Sequence, residues 1–273
     1  MLWSVLERLV IEDLGEWDDS SAIVPDTEAE ALIFTRERCV ISGLEEAGDI
    51  MEYFGLEQEP FVSDGDEVSA DAEVMRVRGQ AKAILQGERL ALNFLSRMSG
   101  IATLTHDCVR KAGTVRVACT RKTTPGFRIF EKRAVVAGGG DPHRLSLSDA
   151  VIIKDNHLKL MGLENAILTA RSKTSFTKKI EVEVESLEDL LKAVEMKAEI
   201  VMFDNMKPAE IQKGVDLLEV KGLREKVILE ASGGIKPENI AEYASTGVDV
   251  ISLGALTKMA NWIDFSLEIE RCL

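Results

Sequence analysis

The chain is poor in aromatic residues, lacks long apolar runs, carries only scattered cysteines and has almost no positive charge in its first quarter. Each shortage excludes a class of protein. Three tryptophans and two tyrosines, with an N-terminal region holding 21 acids against three basic residues over 1–75, argue against nucleic-acid binding. No apolar run approaches the ~18 residues that a membrane-spanning helix needs. The opening stretch MLWSVLERLVIEDLGEWDD places Glu7, Arg8 and Glu12 inside its apolar pattern. It therefore reads as an amphipathic helix over about 2–14, not as a secretory signal. Cys39, Cys108, Cys119 and Cys272 show no CxxC spacing and no nearby histidine at ligand spacing. They are expected to be reduced thiols of a cytoplasmic protein, neither a disulfide framework nor a zinc site.

The charge that is present is unevenly placed. Residues 1–75 have a balance of −18 within a formal net charge of −14, so the other 198 residues carry +4. Anion-handling chemistry is expected in that second part. The stretch TRKTTPGFRIFEKRAVVAGGGDPHR, residues 120–144, concentrates six Arg or Lys residues against two acids.

The first hundred residues read as an α/β unit, with strand-like pieces at 31–35, 38–42 and 73–79 and a turn at 63–67. From Gln80 a long helical pattern follows, which Gly87 and Gly100 are expected to divide into successive helices. After Gly113 short β-branched runs recur at 115–120, 150–154, 179–185, 199–204, 226–232 and 248–254, with helical or loop segments between them. That rhythm indicates parallel βαβ units. A polar or charged residue ends each run: Arg121-Lys122, Lys154, Glu183, Asp204, Glu230-Ser232 and Ser252. A (β/α) barrel gathers all such ends at one mouth, whereas an open doubly wound sheet favours one switch point, so the pattern favours a barrel.

Candidate site residues sit at those ends. Ser232-Gly233-Gly234 and the turn at Ser252–Ala255, which includes Gly254, are small-residue loops able to offer backbone N–H groups to a phosphate. Loop flexibility is the other reading of glycine there, and the better one for Gly138–Gly140. Arg121, Lys122, Arg144 and Lys154 form a cation set suited to a multiply anionic ligand, arginine being the residue that grips a carboxylate two oxygens at a time. Glu181, Glu183 and Glu185 share one face of their strand, which is costly in a buried sheet unless the acids have partners. Glu183 and Asp204 suit Mg²⁺ binding or stabilisation of a carbocation-like centre, with a structural ion-pair network as the alternative. His143, amid cations, is expected to have a depressed pKa and to act as a neutral hydrogen bonder.

Taken in order, GERLALNFLSRMSGIAT at 87–103, TRKTTPGFR at 120–128, EKRAVVAGGG at 131–140, HRLSLSDAVIIKDNH at 143–157, IEVEVES at 180–186, VMFDN at 201–205, EASGGI at 230–235 and GVDVISLGALT at 247–257 resemble the quinolinate phosphoribosyltransferase family. The resemblance implies an α/β sandwich over 1–102, an open or incomplete (β/α) barrel of six to seven strands over 103–261, and a tail at about 262–273 packing back on the first domain. It implies Mg²⁺-dependent transfer of a phosphoribosyl group from phosphoribosyl pyrophosphate to quinolinate with decarboxylation, on the route to NAD. Carried over onto matching positions, it gives Arg121, Lys122, His143, Arg144 and Lys154 to quinolinate, and Glu183 and Asp204 to the ribose and Mg²⁺. Lys122, Lys154, Glu183 and Asp204 are the residues it makes catalytic. Ser232, Gly233, Gly234 and Gly254 fall to the 5′-phosphate. It also implies a homodimer in which Arg89 reaches the neighbouring subunit's site. Lys258 and Arg133 depart from the family pattern, which has a histidine and an aromatic residue there in many members. The rival expectations are a paralogue of the same fold acting on another acceptor, such as a molybdenum-transport-associated homologue, and a non-enzymatic barrel that binds phosphate metabolites.

Overall fold

The computed structural model describes residues 1–16 and 18–272. Helix α1 (Trp3–Leu14) buries Leu6 and Val10, and is followed by the single turn α2 (Asp19–Ala22), whose Ser21 N–H donates to the Asp18 carboxylate. Strands β1 (Glu28–Thr35) and β2 (Cys39–Val40) precede α3 (Leu44–Tyr53); β3 (Glu57–Pro60), β4 (Glu67–Val68) and β5 (Glu73–Gln80) come next. Helix α4 then runs unbroken from Ala81 to Ala112.

That continuity corrects the expectation that Gly87 and Gly100 divide the segment. Neither glycine ends a helix; each sits where another part of the chain comes close. Gly87 faces the Met51 and Phe54 side chains, and a Cβ on Gly100 would lie 1.9 Å from the Asn261 carbonyl oxygen. Glycine lowers helix propensity by about 1 kcal/mol relative to alanine, a cost that close packing outweighs here.

Beyond α4 come β6 (Arg116–Cys119), α5 (Arg128–Ala137), β7 (Val151–Ile153), α6 (Asp155–Met161), α7 (Leu163–Lys173) and β8 (Ile180–Val184). Then follow α8 (Leu187–Glu195), β9 (Ile200–Asp204), α9 (Pro208–Val220), β10 (Ile228–Ser232), α10 (Ile240–Ala244), β11 (Val250–Leu253) and α11 (Ala255–Lys258). Local signals set these helices. Ser186 caps α8 by accepting from the Asp189 N–H, Leu190, Ala193 and Val194 form its buried stripe, and α9 opens on Pro208. The last strand, β12 (Phe265–Cys272), pairs antiparallel with β1. Leu273, the end of the expected tail, lies outside the described residues.

The chain forms two compact units. The first comprises 1–106, 133–139 and 260–273 and contains the antiparallel sheet β12-β1-β5-β3. Its core includes Ile33, Ile50, Met75, Ile84 and Leu95. The second comprises 107–132 and 140–259 and contains the six-stranded parallel sheet β6-β11-β10-β9-β8-β7. In that sheet β7 to β11 lie side by side in chain order, and β6 joins β11. A doubly wound sheet would reverse direction instead, so this is the order of a barrel left open between β6 and β7. The free edge of β6 takes a single parallel bridge from Ala118 to Asp141. No helix among the described residues is long and apolar enough to cross a membrane.

Substitution of Gly100 by alanine is expected to lower unfolding stability by about 1–3 kcal/mol through overpacking against Asn261. Urea denaturation tests this; a midpoint unchanged from the parent protein would show that the backbone can move apart at no cost.

Candidate active site

Parallel pairing places partnered residues on the same side of a sheet. Glu183 pairs with Met202, Met202 with Glu230, Asp204 with Ser232, and Ser232 with Ser252. One face of the second unit's sheet therefore carries Glu181, Glu183, Met202, Asp204, Glu230, Ser232 and Ser252. The other carries Val182, Val184, Val201, Phe203, Leu229 and Ala231, all buried. Because side chains alternate with period two, the apolar face packs outward while the polar face turns into the barrel.

That polar face opens into a cleft of about 620 Å³. It brings together Arg121, Lys122, His143, Arg144, Lys154, Glu183, Asp204, Ser232, Gly233 and Gly234 from the sequence-based set with the strand-end residues Glu230 and Ser252, and adds Cys119, Asp155 and Asn205. Gly254 is not in the lining, but a Cβ there would lie 3.1 Å from Lys122 Cδ, so it leaves room for that side chain. Arg89 belongs to the first unit; its side chain is exposed, with the Glu88 carboxylate 3.7 Å away.

The cations are held by the loops that carry them. The Lys122 N–H donates to Thr120 Oγ1 at 3.1 Å, and its carbonyl accepts from Thr257 Oγ1 at 2.7 Å. The TTPG loop is pinned by the buried Glu131, which accepts from the Thr124 N–H at 3.1 Å and from its hydroxyl at 3.0 Å. Arg144 donates to the Ala150 carbonyl at 3.2 Å, and burial together with the Arg121 charge holds its pKa below the usual arginine value. Of the remaining cations in 120–144, Arg133 pairs with Glu46 at 2.7 Å, Arg128 donates to Thr123 Oγ1 at 3.0 Å, and the buried Lys132 donates to Cys119 Sγ and the Pro142 carbonyl.

The acids stand opposite. Lys154 donates to the Glu183 carboxylate. Burial raises the pKa of Glu183; Lys154 opposes that rise and the Asp204 charge adds to it. Beside them the Ser232–Gly234 turn is built tightly. Ser252 Oγ donates to Ser232 Oγ at 2.9 Å, and the Asn205 N–H donates to the Ser232 carbonyl at 2.9 Å. Gly233 adopts φ +90°, and a Cβ there would meet the Asn205 side chain at 2.4 Å, so no other residue fits.

The surroundings of His143 differ from the expectation. Its Nε2 faces Glu230 at 3.3 Å and Glu181 at 3.7 Å. Burial favours the neutral ring, but the Glu230 hydrogen bond and the charges of Glu230 and Glu181 outweigh it, and Lys132 opposes them only weakly. The pKa of His143 is therefore raised, not depressed. Glu181 is pushed up to about 8, by burial first and by the Glu230 charge second. The sequence already placed Glu181 on the costly polar face of its strand and Glu230 at a strand end, but gave neither a role in the site. Their signal was the two-residue alternation, since each lies two positions before a residue of the mouth.

Comparison with known proteins identifies the family and its fold. Residues 101–268 match the family model described as quinolinate phosphoribosyl transferase, C-terminal domain, and residues 18–99 match its N-terminal domain. A protein of Methanothermobacter thermautotrophicus named "Probable nicotinate-nucleotide pyrophosphorylase [carboxylating]" is 45% identical, the match covering 98% of this chain and 99% of the relative. The nicotinate-nucleotide pyrophosphorylase [carboxylating] of Rattus norvegicus is 38% identical over 94% of this chain and 87% of its own. Among solved structures, the nicotinate-nucleotide pyrophosphorylase from Francisella tularensis superposes with a TM-score of 0.92 at 36% identity, covering 98% of this chain and 96% of that one. With both domain models matched and the same fold in a solved relative, this chain belongs to the quinolinate phosphoribosyltransferase family.

Proposed function

We propose that the protein transfers a phosphoribosyl group from phosphoribosyl pyrophosphate to quinolinate and releases carbon dioxide, forming nicotinate mononucleotide for NAD synthesis in the cytoplasm. The observation that carries this reading is the polarity of a single cleft. Arg121, Lys122, Arg144 and Lys154 line it together with Glu183, Asp204 and the Ser232–Gly234 turn. The cations suit a planar dianion, the turn suits a phosphate, and the acids stand where positive charge would develop at a ribose between them.

The chemistry follows from that order. The pyridine nitrogen forms a bond to ribose C1 as the bond from C1 to pyrophosphate breaks, with the bonding pair leaving on the phosphate oxygen. Glu183 and Asp204 stabilise the positive ribose carbon. The ring nitrogen is now cationic, so the ring accepts the electron pair when the C2 carboxylate departs as carbon dioxide, and C2 then takes a proton. The arginine and lysine set orients the dianion for in-line attack.

Glu183 and Asp204 also fit a magnesium ion. They offer hard oxygen donors on neighbouring strands, and burial, with a smaller contribution from the Asp204 charge, raises the Glu183 pKa. When bound, Mg²⁺ would neutralise charge on the pyrophosphate. We further infer a homodimer in which Arg89 of one copy serves the cleft of the other, consistent with its exposed side chain.

Incubation with quinolinate, phosphoribosyl pyrophosphate and Mg²⁺ is expected to release carbon dioxide and nicotinate mononucleotide in equal amounts. Product from nicotinate but none from quinolinate would overturn the assignment in favour of a different acceptor. Glu183→Gln and Asp204→Asn are each expected to lower kcat by on the order of 10²-fold, the scale of losing one preorganised electrostatic contact. Full activity in either variant would remove that acid from the chemistry at the ribose. Mixing inactive Arg89→Ala and Lys154→Ala proteins under conditions of subunit exchange should restore roughly a quarter of parental activity, because half the dimers then hold one intact site of two. No recovery despite demonstrated exchange would remove the shared site.

A further inference from the structure

We propose that Glu230, backed by Glu181, is a positioning residue for the acceptor: its carboxylate clamps the His143 ring and thereby sets the backbone from which Arg144 reaches the cleft. The inference rests on the function proposed above.

The two acids lie deep in the barrel. Glu181 precedes Glu183 on β8 by two positions and Glu230 precedes Ser232 on β10 by two, so each sits roughly 6.6 Å further down its strand on the same face. Their side chains are 0% and 2% exposed. Both oxygens of Glu181 and Oε1 of Glu230 have no hydrogen-bond partner among the described residues. Two buried carboxyl groups are expensive to keep unless they hold something in place. What they face is one ring nitrogen, His143 Nε2, at 3.3 Å from Glu230 and 3.7 Å from Glu181.

His143 needs such a clamp. Its φ of +51° lies in the left-handed region, where residues other than glycine are uncommon, although histidine enters it more often than most. The conformation is held on the backbone side by the His143 N–H donating to Asp141 Oδ1 at 2.7 Å, and by Lys132 donating to the preceding Pro142 carbonyl. The ring itself is gripped at both nitrogens. Nδ1 accepts from the Arg144 N–H at 2.8 Å, and Nε2 meets Glu230. Because Nδ1 accepts from its neighbour's amide, the neutral ring carries its hydrogen on Nε2 and donates it to Glu230. The imidazole thus links a carboxylate in the barrel floor to the amide of the arginine at the mouth.

The same three groups have ligand atoms within 4.8 Å of one another, a spacing that would also suit a metal ion. Tautomer geometry disfavours that reading. A metal needs a lone pair on Nε2, and the Arg144 amide commits the lone pair to Nδ1 instead.

Two conservative variants separate reach from charge. Glu230→Gln keeps the length and an accepting oxygen, and its amide can donate to Glu181. Glu230→Asp keeps the charge but withdraws the acceptor by one methylene. Quinolinate affinity is read by calorimetry, and KM is read for both substrates. The Asp variant is expected to weaken quinolinate binding about tenfold, and the Gln variant by less than about threefold, with KM for phosphoribosyl pyrophosphate changed less than about twofold in both. In a His143→Ala background the Glu230→Asp effect should disappear, since the clamp then has nothing to hold. The reverse order of the two variants, equal shifts in both KM values, or full additivity with His143→Ala would overturn the proposal. Failure of the parent protein to bind or turn over quinolinate would instead overturn the acceptor assignment itself, so the two failures are distinguishable.

Discussion

The two-residue alternation of β8 is the constraint on which the rest of the site depends. Val182 and Val184 must face outward to bury apolar area against the helical layer, and this forces Glu181 and Glu183 into the barrel. A barrel interior of this size is ordinarily filled by branched aliphatic side chains. Here the floor holds carboxylates, and the cations of the 120–154 region are what makes that interior tenable. Lys154 answers Glu183, Lys132 adds positive charge behind His143, and the His143 ring donates to Glu230. The acid and cation halves are therefore one electrostatic unit before any ligand arrives. A dianionic ligand and a developing ribose cation would enter a field whose signs are already separated along the cleft.

Much of this was legible in the sequence, for a physical reason. Parallel strands buried on the helix-facing side read as β-branched runs, and a polar residue at the end of each run marks the mouth. The order β7 to β11 with β6 beside β11 then follows from connecting each strand to its neighbour through a helix. The (β/α) barrel and the cation wall of Arg121, Lys122, Arg144 and Lys154 were within reach of that reasoning, whereas the antiparallel pairing of the first unit was not.

What escaped it depends on contacts between residues far apart in the chain. Gly100 looked like a helix break because its partner, the Asn261 carbonyl, lies 161 positions away. The titration of His143 was misjudged because its sequence neighbours are cations, while its spatial neighbours, Glu181 and Glu230, come from two other strands. Glu230 stood out as a polar strand end, but the glycines that follow it drew the functional assignment. Sequence proximity is a fair guide to hydrogen bonds within a loop, as for Glu131 and Thr124, and a poor one to the field inside a barrel.

The pairing of β12 with β1 has a consequence for how the chain is made. The first unit is assembled from 1–106, 133–139 and 260–273, so the edge strand of its sheet is made after the strands of the barrel. Every strand of the barrel has emerged by residue 253. Synthesis at about 5–20 residues per second therefore leaves the flank of β1 without β12 while the barrel can already close. The sheet that contains β1 cannot be completed until after the barrel strands are made, and until then the unpaired flank of β1 is a surface that a nascent chain has to keep from other strands.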